Sequence, residues 1–337
     1  MKVLGIETSC DECAAAVVED GRRVLSNVIV SQVEVHKPYN GVVPELASRA
    51  HIELIQDVYE RALKDAGLTL DEIDGVAAAS RPGLLGALLV GLSFAKALAW
   101  SRGLPFAGVD HVRAHLHAPH IENDIAYPYL GLLVSGGHTL ITRVGGFDEI
   151  EVLGTTIDDS CGEAFDKVAK FYGFGFPGGA AVDRLARGGD AEAFSFPDPS
   201  LHKGEHRYDV SYSGLKTAAV NQLDMFLNPG HEKTPPNIAA SFQKAAIDIL
   251  LRRLLRAAED TGLSRIVVGG GVAANSYLRS ALAGRKDLEV IFPSPVLCTD
   301  NGAMIAALGY ELFQRGRTSA WTENASARVA GFRRGYP

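Results

Sequence analysis

Two histidines set four apart, His111 and His115, open the chemistry of this chain. On a helix, residues at i and i+4 share a face with Cβ atoms about 6 Å apart. Both imidazoles could then reach one metal ion at about 2.1 Å. The pattern alone fits a pair of helix-surface histidines more often than a metal site. His117 and His120 are further candidates, although His117 projects elsewhere on the same helix. A zinc-protease signature needs a glutamate directly after the first histidine. Val112 stands there, so hydrolysis by that route is excluded.

The other candidates are acidic residues and glycine turns. Asp300 lies in Cys298-Thr299-Asp300-Asn301-Gly302, at the expected start of the last helix. It suits a metal ligand or a plain N-cap, and spacing does not choose. Asp11 and Glu12 sit in the first turn, where they could cap the hairpin or orient a reacting group. Asp158, Asp159, Glu163 and Asp166 precede Lys167 and read most simply as a solvated, ion-paired helix face. Arg252, Arg253 and Arg256 read as an exposed basic strip, with a nucleic-acid contact as the alternative. Gly136-Gly137, Gly178-Gly179 and Gly269-Gly270-Gly271 recur after strands or near turns, and the last, between a strand and a helix, is placed to let backbone N–H groups approach a phosphate. Gly173-Phe-Gly175-Phe-Pro-Gly178 spells a dinucleotide fingerprint, but it follows a helical stretch and contains Pro177. No GxxxxGK[ST] occurs.

Alternating strands and helices must position these groups. Val3 to Thr8, Ala14 to Val18 and Val24 to Val30 read as strands. Pro44 opens a helix that stops at Gly67, with Leu54, Ile55, Val58 and Ala62 on one face. Val76 to Ala79 is a strand, residues 84–101 an apolar helix, and Phe106 to Val109 a strand leading into the histidine helix. The pattern then restarts. Tyr129 to Val134 and Thr139 to Val144 flank the turn Ser135-Gly136-Gly137-His138, much as the first hairpin is built. Two related lobes are expected, divided as 1–110 and 111–337, with the last helix able to pack back on the first lobe. Ile238 to Thr261 is a helix stopped by Gly262; Ile266 to Val268 is a strand followed by glycines and a helix near Asn275. Pro197 to Tyr212 reads as an irregular extended loop.

The 337 residues suffice for two substantial cores. A net charge of −7 argues against a generic polyanion binder, so nucleic-acid contact must use a local patch or a partner. Residues 1–6 enter a strand pattern with no signal-like apolar region, and the apolar run Leu84 to Trp100 contains Lys96. A cytoplasmic protein with no membrane span is expected. Cys10, Cys13, Cys161 and Cys298 are expected to be reduced and structural.

Several segments together resemble the bacterial TsaD family. They are Ile6-Glu-Thr-Ser-Cys-Asp-Glu12, Gly41-Val-Val-Pro-Glu-Leu-Ala-Ser-Arg49, Pro82-Gly-Leu-Leu-Gly-Ala-Leu-Leu-Val-Gly91, Val134-Ser-Gly-Gly-His-Thr139, Gly162-Glu-Ala-Phe-Asp-Lys167, Ser213-Gly-Leu-Lys-Thr217, Gly270-Gly-Val-Ala-Ala-Asn275 and Cys298-Thr-Asp-Asn-Gly-Ala-Met304. They span nearly the whole chain in order. The resemblance implies an α/β, two-lobed actin, sugar-kinase and heat-shock-chaperone (ASKHA) fold with duplicated ribonuclease-H-like lobes and its site in the cleft. It implies transfer of a threonylcarbamoyl group from threonylcarbamoyl-AMP to N6 of the adenosine 3′ of the anticodon, in tRNAs that read codons beginning with adenine. It maps a divalent metal, iron or zinc, onto His111, His115 and Asp300. It maps substrate binding onto Val134, Ser135, Gly136, Gly137, His138, Asp166, Gly179, Asp183 and Asn275. Asp11 is the candidate for handling the amine proton. TsaB and TsaE homologues and tRNA are the implied partners; DNA is not. A kinase or chaperone that releases phosphate from ATP, or a non-catalytic nucleotide-binding scaffold of the same superfamily, are the competing readings. This chain departs from the family pattern with Arg113 for Glu, Arg81 for Gly, Cys13 for Thr and Leu140 for Gln.

Overall fold

A computed structural model describes residues 1–198 and 206–328. The chain divides into two units, one of Met1–Ile125 with Pro293–Val329 and one formed by Ala126–Phe292. The helix carrying His111 and His115, and the last helix, thus both belong to the first unit. The expected division falls at residue 110, with the histidine helix in the second lobe and the last helix able to pack back on the first.

The first unit is built on a five-stranded sheet: β1 Lys2–Glu7, β2 Glu12–Glu19, β3 Arg23–Ser31, β4 Gly75–Arg81 and β5 Phe106–Asp110. Its order is β3-β2-β1-β4-β5, antiparallel through the first three strands and parallel from β1 onward. The parallel step β4 to β5 is bridged by the Leu85–Arg102 helix, as a parallel pair requires. β1 lies at the centre, and Val3 to Glu7 are all buried, as expected of a strand covered on both faces.

Strand alternation sorts β1 between two layers. Leu4 and Ile6 join Val17, Val58, Val76, Leu92 and Phe106 in one core, toward helices Pro44–Ala66 and Leu85–Arg102. Val3 and Gly5 belong to the opposite face. There Gly5 pairs with Ala16 on β2 and Ala77 on β4, a row of small residues across the sheet. The Gly302–Gln314 helix lies against this row. A Cβ on Gly5 would run into the backbone of Gly302 and Ala306, and one on Gly309 into Ala77. The close approach fixes where the segment before this helix, with Asp300, must lie. Gly5→Val is expected to lift the helix and cost about 1–3 kcal/mol in urea denaturation. An unshifted midpoint would mean the helix is not held by this contact.

The second unit repeats the plan. β6 Tyr129–Val134, β7 Thr139–Gly146, β8 Glu149–Thr155, β9 Arg265–Gly269 and β10 Glu289–Ile291 order as β10-β9-β6-β7-β8. Read from β8, this is the order of the first sheet, with the same antiparallel and parallel steps. The likeness of the two hairpins in sequence therefore reflects a repeated topology. The Pro235–Thr261 helix ends at Gly262, whose φ of 68° is the left-handed cap anticipated there.

Three local expectations need correction or completion. The basic strip is not wholly exposed: Arg253 is buried and its Nε–H donates to the Asp209 carbonyl, because it shares the buried side of the helix with Ile249, Leu250 and Ala257. Gly173 and Gly178 join two helices through a cis Phe176–Pro177 bond, which agrees with rejecting a dinucleotide fingerprint there. Of the loop expected over 197–212, residues 199–205 lie outside the described residues. Its far end is anchored, with Val210 bridging Thr156 and Tyr212 fully buried.

Candidate functional site

The histidine helix, His111–His117, begins directly at the end of β5. Asp110 is its N-cap and accepts from the N–H groups of Val112 and Arg113, at 3.0 Å each. This cap fixes the helix start, and with it the direction of His111 and His115, both buried. Their rings meet edge to face at 4.6 Å between centroids.

Asp300 approaches from the segment ahead of the last helix. Asn301, not Asp300, is the N-cap of that helix: its side chain accepts from the Met304 N–H. The cap reading left open by the sequence is thereby corrected, and the Asp300 carboxylate is released toward the histidines. Its Oδ1 lies 2.9 Å from His115 Nε2 and 3.6 Å from His111 Nε2. Ligand atoms of all three residues lie within 4.8 Å of one another. Two ligands about 2.1 Å from one tetrahedral ion are about 3.4 Å apart, so the donor set fits a divalent metal.

Glu7 was missed by sequence reasoning. It ends β1, is fully buried, and its Oε2 lies 2.9 Å from His111 Nδ1, while its Oε1 accepts the Ser9 N–H. Ser9 Oγ is 3.1 Å from the same His111 nitrogen. The available signal was a carboxylate closing an otherwise apolar central strand. Burial pushes His111 toward the neutral form, but the carboxylates of Glu7 and Asp300 outweigh it and hold the ring at about 9. The same field favours a cation at this spot.

Asp11 lies in the β1–β2 turn, and its carbonyl accepts the Gln32 N–H. Beside it, burial and the carboxylates of Asp11 and Asp300 push Glu12 up to about 9. The turn is braced from behind by His51, which is buried and donates from Nε2 to the Cys10 carbonyl at 2.9 Å. Burial lowers the His51 pKa from 6.5. The neutral ring therefore adds stability that is present above the unfolded value and lost as pH falls below about 6.5 toward the folded one. His51→Gln keeps a donor without the titration. Its unfolding free energy is expected to fall less than wild type between pH 7 and 5; parallel pH profiles would contradict this.

The second unit gathers the other mapped residues by itself. Val134 ends β6, and the turn Ser135–His138 closes on itself. The Ser135 N–H donates to the His138 carbonyl at 2.8 Å, and the His138 N–H to Ser135 Oγ at 3.1 Å. Gly136 and Gly137 are exposed, with open space where side chains would stand. This leaves backbone within reach of a ligand's oxygens. The turn is clamped from below: the Gly162 N–H donates to the Ser135 carbonyl, and Ser160 Oγ–H to that of Gly136.

Asp166 Oδ1 accepts the Gly178 N–H at 2.8 Å, holding the start of the helix in which Gly179 also has open space. Asp183 Oδ1 accepts from Ser276 N–H at 2.9 Å and Oγ–H at 2.7 Å. Asn275 N-caps the Ser276–Ala283 helix and donates to Gln243. Asp166, Asp183 and Asn275 thus shape this region as well as being candidates to bind within it. The rest of the acidic cluster is structural. Asp158 accepts the N–H groups of Tyr212 and Ser213, Asp159 pairs with Lys167 and Lys216, and Glu163 completes a capping box with Ser160.

Residues 23–307 match the family described as TsaD, tRNA N6-adenosine threonylcarbamoyltransferase. The chain belongs to the TsaD family.

Its relatives agree over their full length. A tRNA N6-adenosine threonylcarbamoyltransferase of Treponema denticola is 64% identical, covering 98% of both chains. One of Borrelia garinii subsp. bavariensis is 50% identical, covering 100% of this chain and 99% of its own. The reaction is therefore that of a transferase modifying tRNA. Among solved structures, HypF of T. kodakarensis superposes with a TM-score of 0.61 at 15% identity, over 94% of this chain and 48% of its own. Component A of (R)-2-hydroxyglutaryl-CoA dehydratase from Acidaminococcus fermentans gives 0.54 at 15% identity, over 92% and 98%. At this identity the likenesses show a shared fold, an α/β chain built on two five-stranded sheets.

The departures from the family pattern fall outside the candidate ligands. Cys13 and Leu140 are buried core positions on β2 and β7. Arg81 pairs with Asp110 at 3.6 Å and Glu323 at 3.5 Å, so it touches the cap of the histidine helix. Arg113 contributes its backbone N–H to the same cap. All four cysteines are free. No helix among the described residues is long and apolar enough to cross a membrane.

Proposed function

We propose that the chain transfers a threonylcarbamoyl group from threonylcarbamoyl-AMP to N6 of the adenosine 3′ of the anticodon, in tRNAs that read codons beginning with adenine. The observation that carries this reading is the convergence of His111, His115 and Asp300 in a chain of this family. These three residues would hold one divalent ion, iron or zinc. When bound, the ion supplies Lewis-acid polarisation and positive charge for the oxygens of an acyl donor.

The remaining work belongs to the protein. The exposed backbone of the Ser135–His138 turn, continuing from Val134, offers hydrogen bonds to donor oxygens. Asp166, Gly179, Asp183 and Asn275 take the nucleotide part of the donor. The N6 nitrogen attacks the carbamoyl carbon and forms the new C–N bond. The C–O bond to the phosphate breaks, and AMP leaves with that electron pair. The amine gives up a proton, for which Asp11 is the candidate acceptor. The −7 net charge suits shared tRNA binding, and we assign TsaB and TsaE homologues as partners in the cytoplasm.

The test is nucleoside analysis of tRNA incubated with the chain, TsaB and TsaE homologues, ATP and enzymatically made threonylcarbamoyl-AMP. Modified adenosine formed by wild type and lost in His111→Ala is the expected result. Product unaffected by the substitution would remove His111 from the mechanism. Absence of product beside a working relative would overturn the reaction for this chain.

A further inference from the structure

The two candidate ligand histidines are held very differently. His111 Nδ1 faces Glu7 Oε2 at 2.9 Å, whereas His115 Nδ1 is buried with no hydrogen-bond partner. A carboxylate only accepts, so in the neutral ring that a metal requires the His111 proton sits on Nδ1 and the Nε2 lone pair points to the side where Asp300 and His115 lie. The other Glu7 oxygen is used by the Ser9 N–H. Glu7 therefore has both oxygens engaged, on the central strand of the sheet, with no freedom to turn.

We infer that Glu7 is the positioning residue of this centre, fixing the His111 tautomer and, through the edge-to-face ring contact, the orientation of His115. This rests on the metal assignment to His111, His115 and Asp300. Buried charge makes the same point. A carboxylate with no exposed surface is costly unless positive charge faces it. A dication held by two neutral histidines and Asp300 carries about one net positive charge, which Glu7 would balance. A partner of this kind on the far nitrogen of a ligating histidine orients the ring and raises its basicity.

Glu7→Gln separates this role from mere support of the turn. The amide oxygen still accepts the Ser9 N–H, but its NH2 group then faces His111 Nδ1. That arrangement moves the imidazole proton to Nε2, the ligating nitrogen. Cobalt(II) is the probe, titrated into the metal-free full-length protein and followed by its visible absorption. Glu7→Gln and Glu7→Ala are each expected to weaken cobalt binding about 10- to 100-fold and to alter the spectrum. Histidine nitrogen NMR of the metal-free chain, recorded at a pH high enough for the ring to be neutral, should show His111 protonated on Nδ1 in wild type and on Nε2 in Glu7→Gln.

Wild-type affinity and spectrum in both variants, with unchanged tautomers, would overturn the positioning role while leaving the metal centre in place. Equal cobalt binding by wild type and His115→Ala would instead overturn the centre, and this inference with it. A Glu7 that only supports the turn predicts lowered melting temperature in Glu7→Ala with cobalt affinity intact, which also sinks the proposal.

Discussion

Asp300→Ala is expected to abolish divalent-metal binding at the proposed His111, His115 and Asp300 centre and to lower threonylcarbamoyl transfer by more than about 100-fold, beyond the 10- to 100-fold loss typical of removing a hydrogen-bond partner of a ligand. The fold should survive, because Asp300 does not cap the last helix. Asn301 does, through its bond to the Met304 N–H. The two neighbours thus separate stability from chemistry. Asn301→Ala is expected to lose about 0.5–2 kcal/mol of stability; Asp300→Ala is expected to melt near wild type but to purify without stoichiometric metal. Elemental analysis and thermal melting of both variants decide the matter. Metal retained at wild-type stoichiometry in Asp300→Ala would remove this residue from the ligand set.

Gly270→Ala is expected to have the second-largest effect. Gly270 has a φ of 89°, a backbone region that side-chain-bearing residues rarely adopt, and a Cβ there would strike the Val134 carbonyl. The strain and the clash together should destabilise the chain by about 2–4 kcal/mol. They also displace the end of β6, from which the Ser135–His138 turn springs. AMP affinity, measured under conditions where the variant is folded, should fall with stability. Gly271→Ala is the control, since a Cβ at Gly271 meets nothing within 4 Å. Wild-type behaviour in Gly270→Ala would show that the turn tolerates displacement, and would remove the close approach of Gly270 to Val134 as its support.

Much of this protein was legible in its residues. Short apolar runs bounded by turns placed the central strands, which are covered on both faces, and the period of 3.6 placed helices that bury one stripe. Glycines after Ala66 and Thr261 ended helices where left-handed caps are needed. The HxxxH spacing put two imidazoles on one helical face, and Val112 excluded the protease reading by type alone. Agreement of many short segments with one family pointed to the reaction, which family membership and close relatives then supported.

Sequence could not decide what depends on contacts between distant segments. Asp300 and Asn301 are adjacent polar residues at a helix start, equally fit to cap. Only the packing of the Gly302–Gln314 helix on Gly5, Ala16 and Ala77 assigns the cap to one and frees the other toward His115. Glu7 and His111 stand 104 positions apart, and no local period links them. The β1–β4–β5 order brings the ends of their strands to one edge, where the fold gives a buried carboxylate its partner. Arg253 looked like surface charge because its neighbours are arginines, but the Asp209 carbonyl that receives it comes from a separate segment. Composition and spacing thus determined which groups were available. Tertiary packing determined which oxygen faced which nitrogen, because hydrogen-bond direction and desolvation exist only once the chain has closed around them.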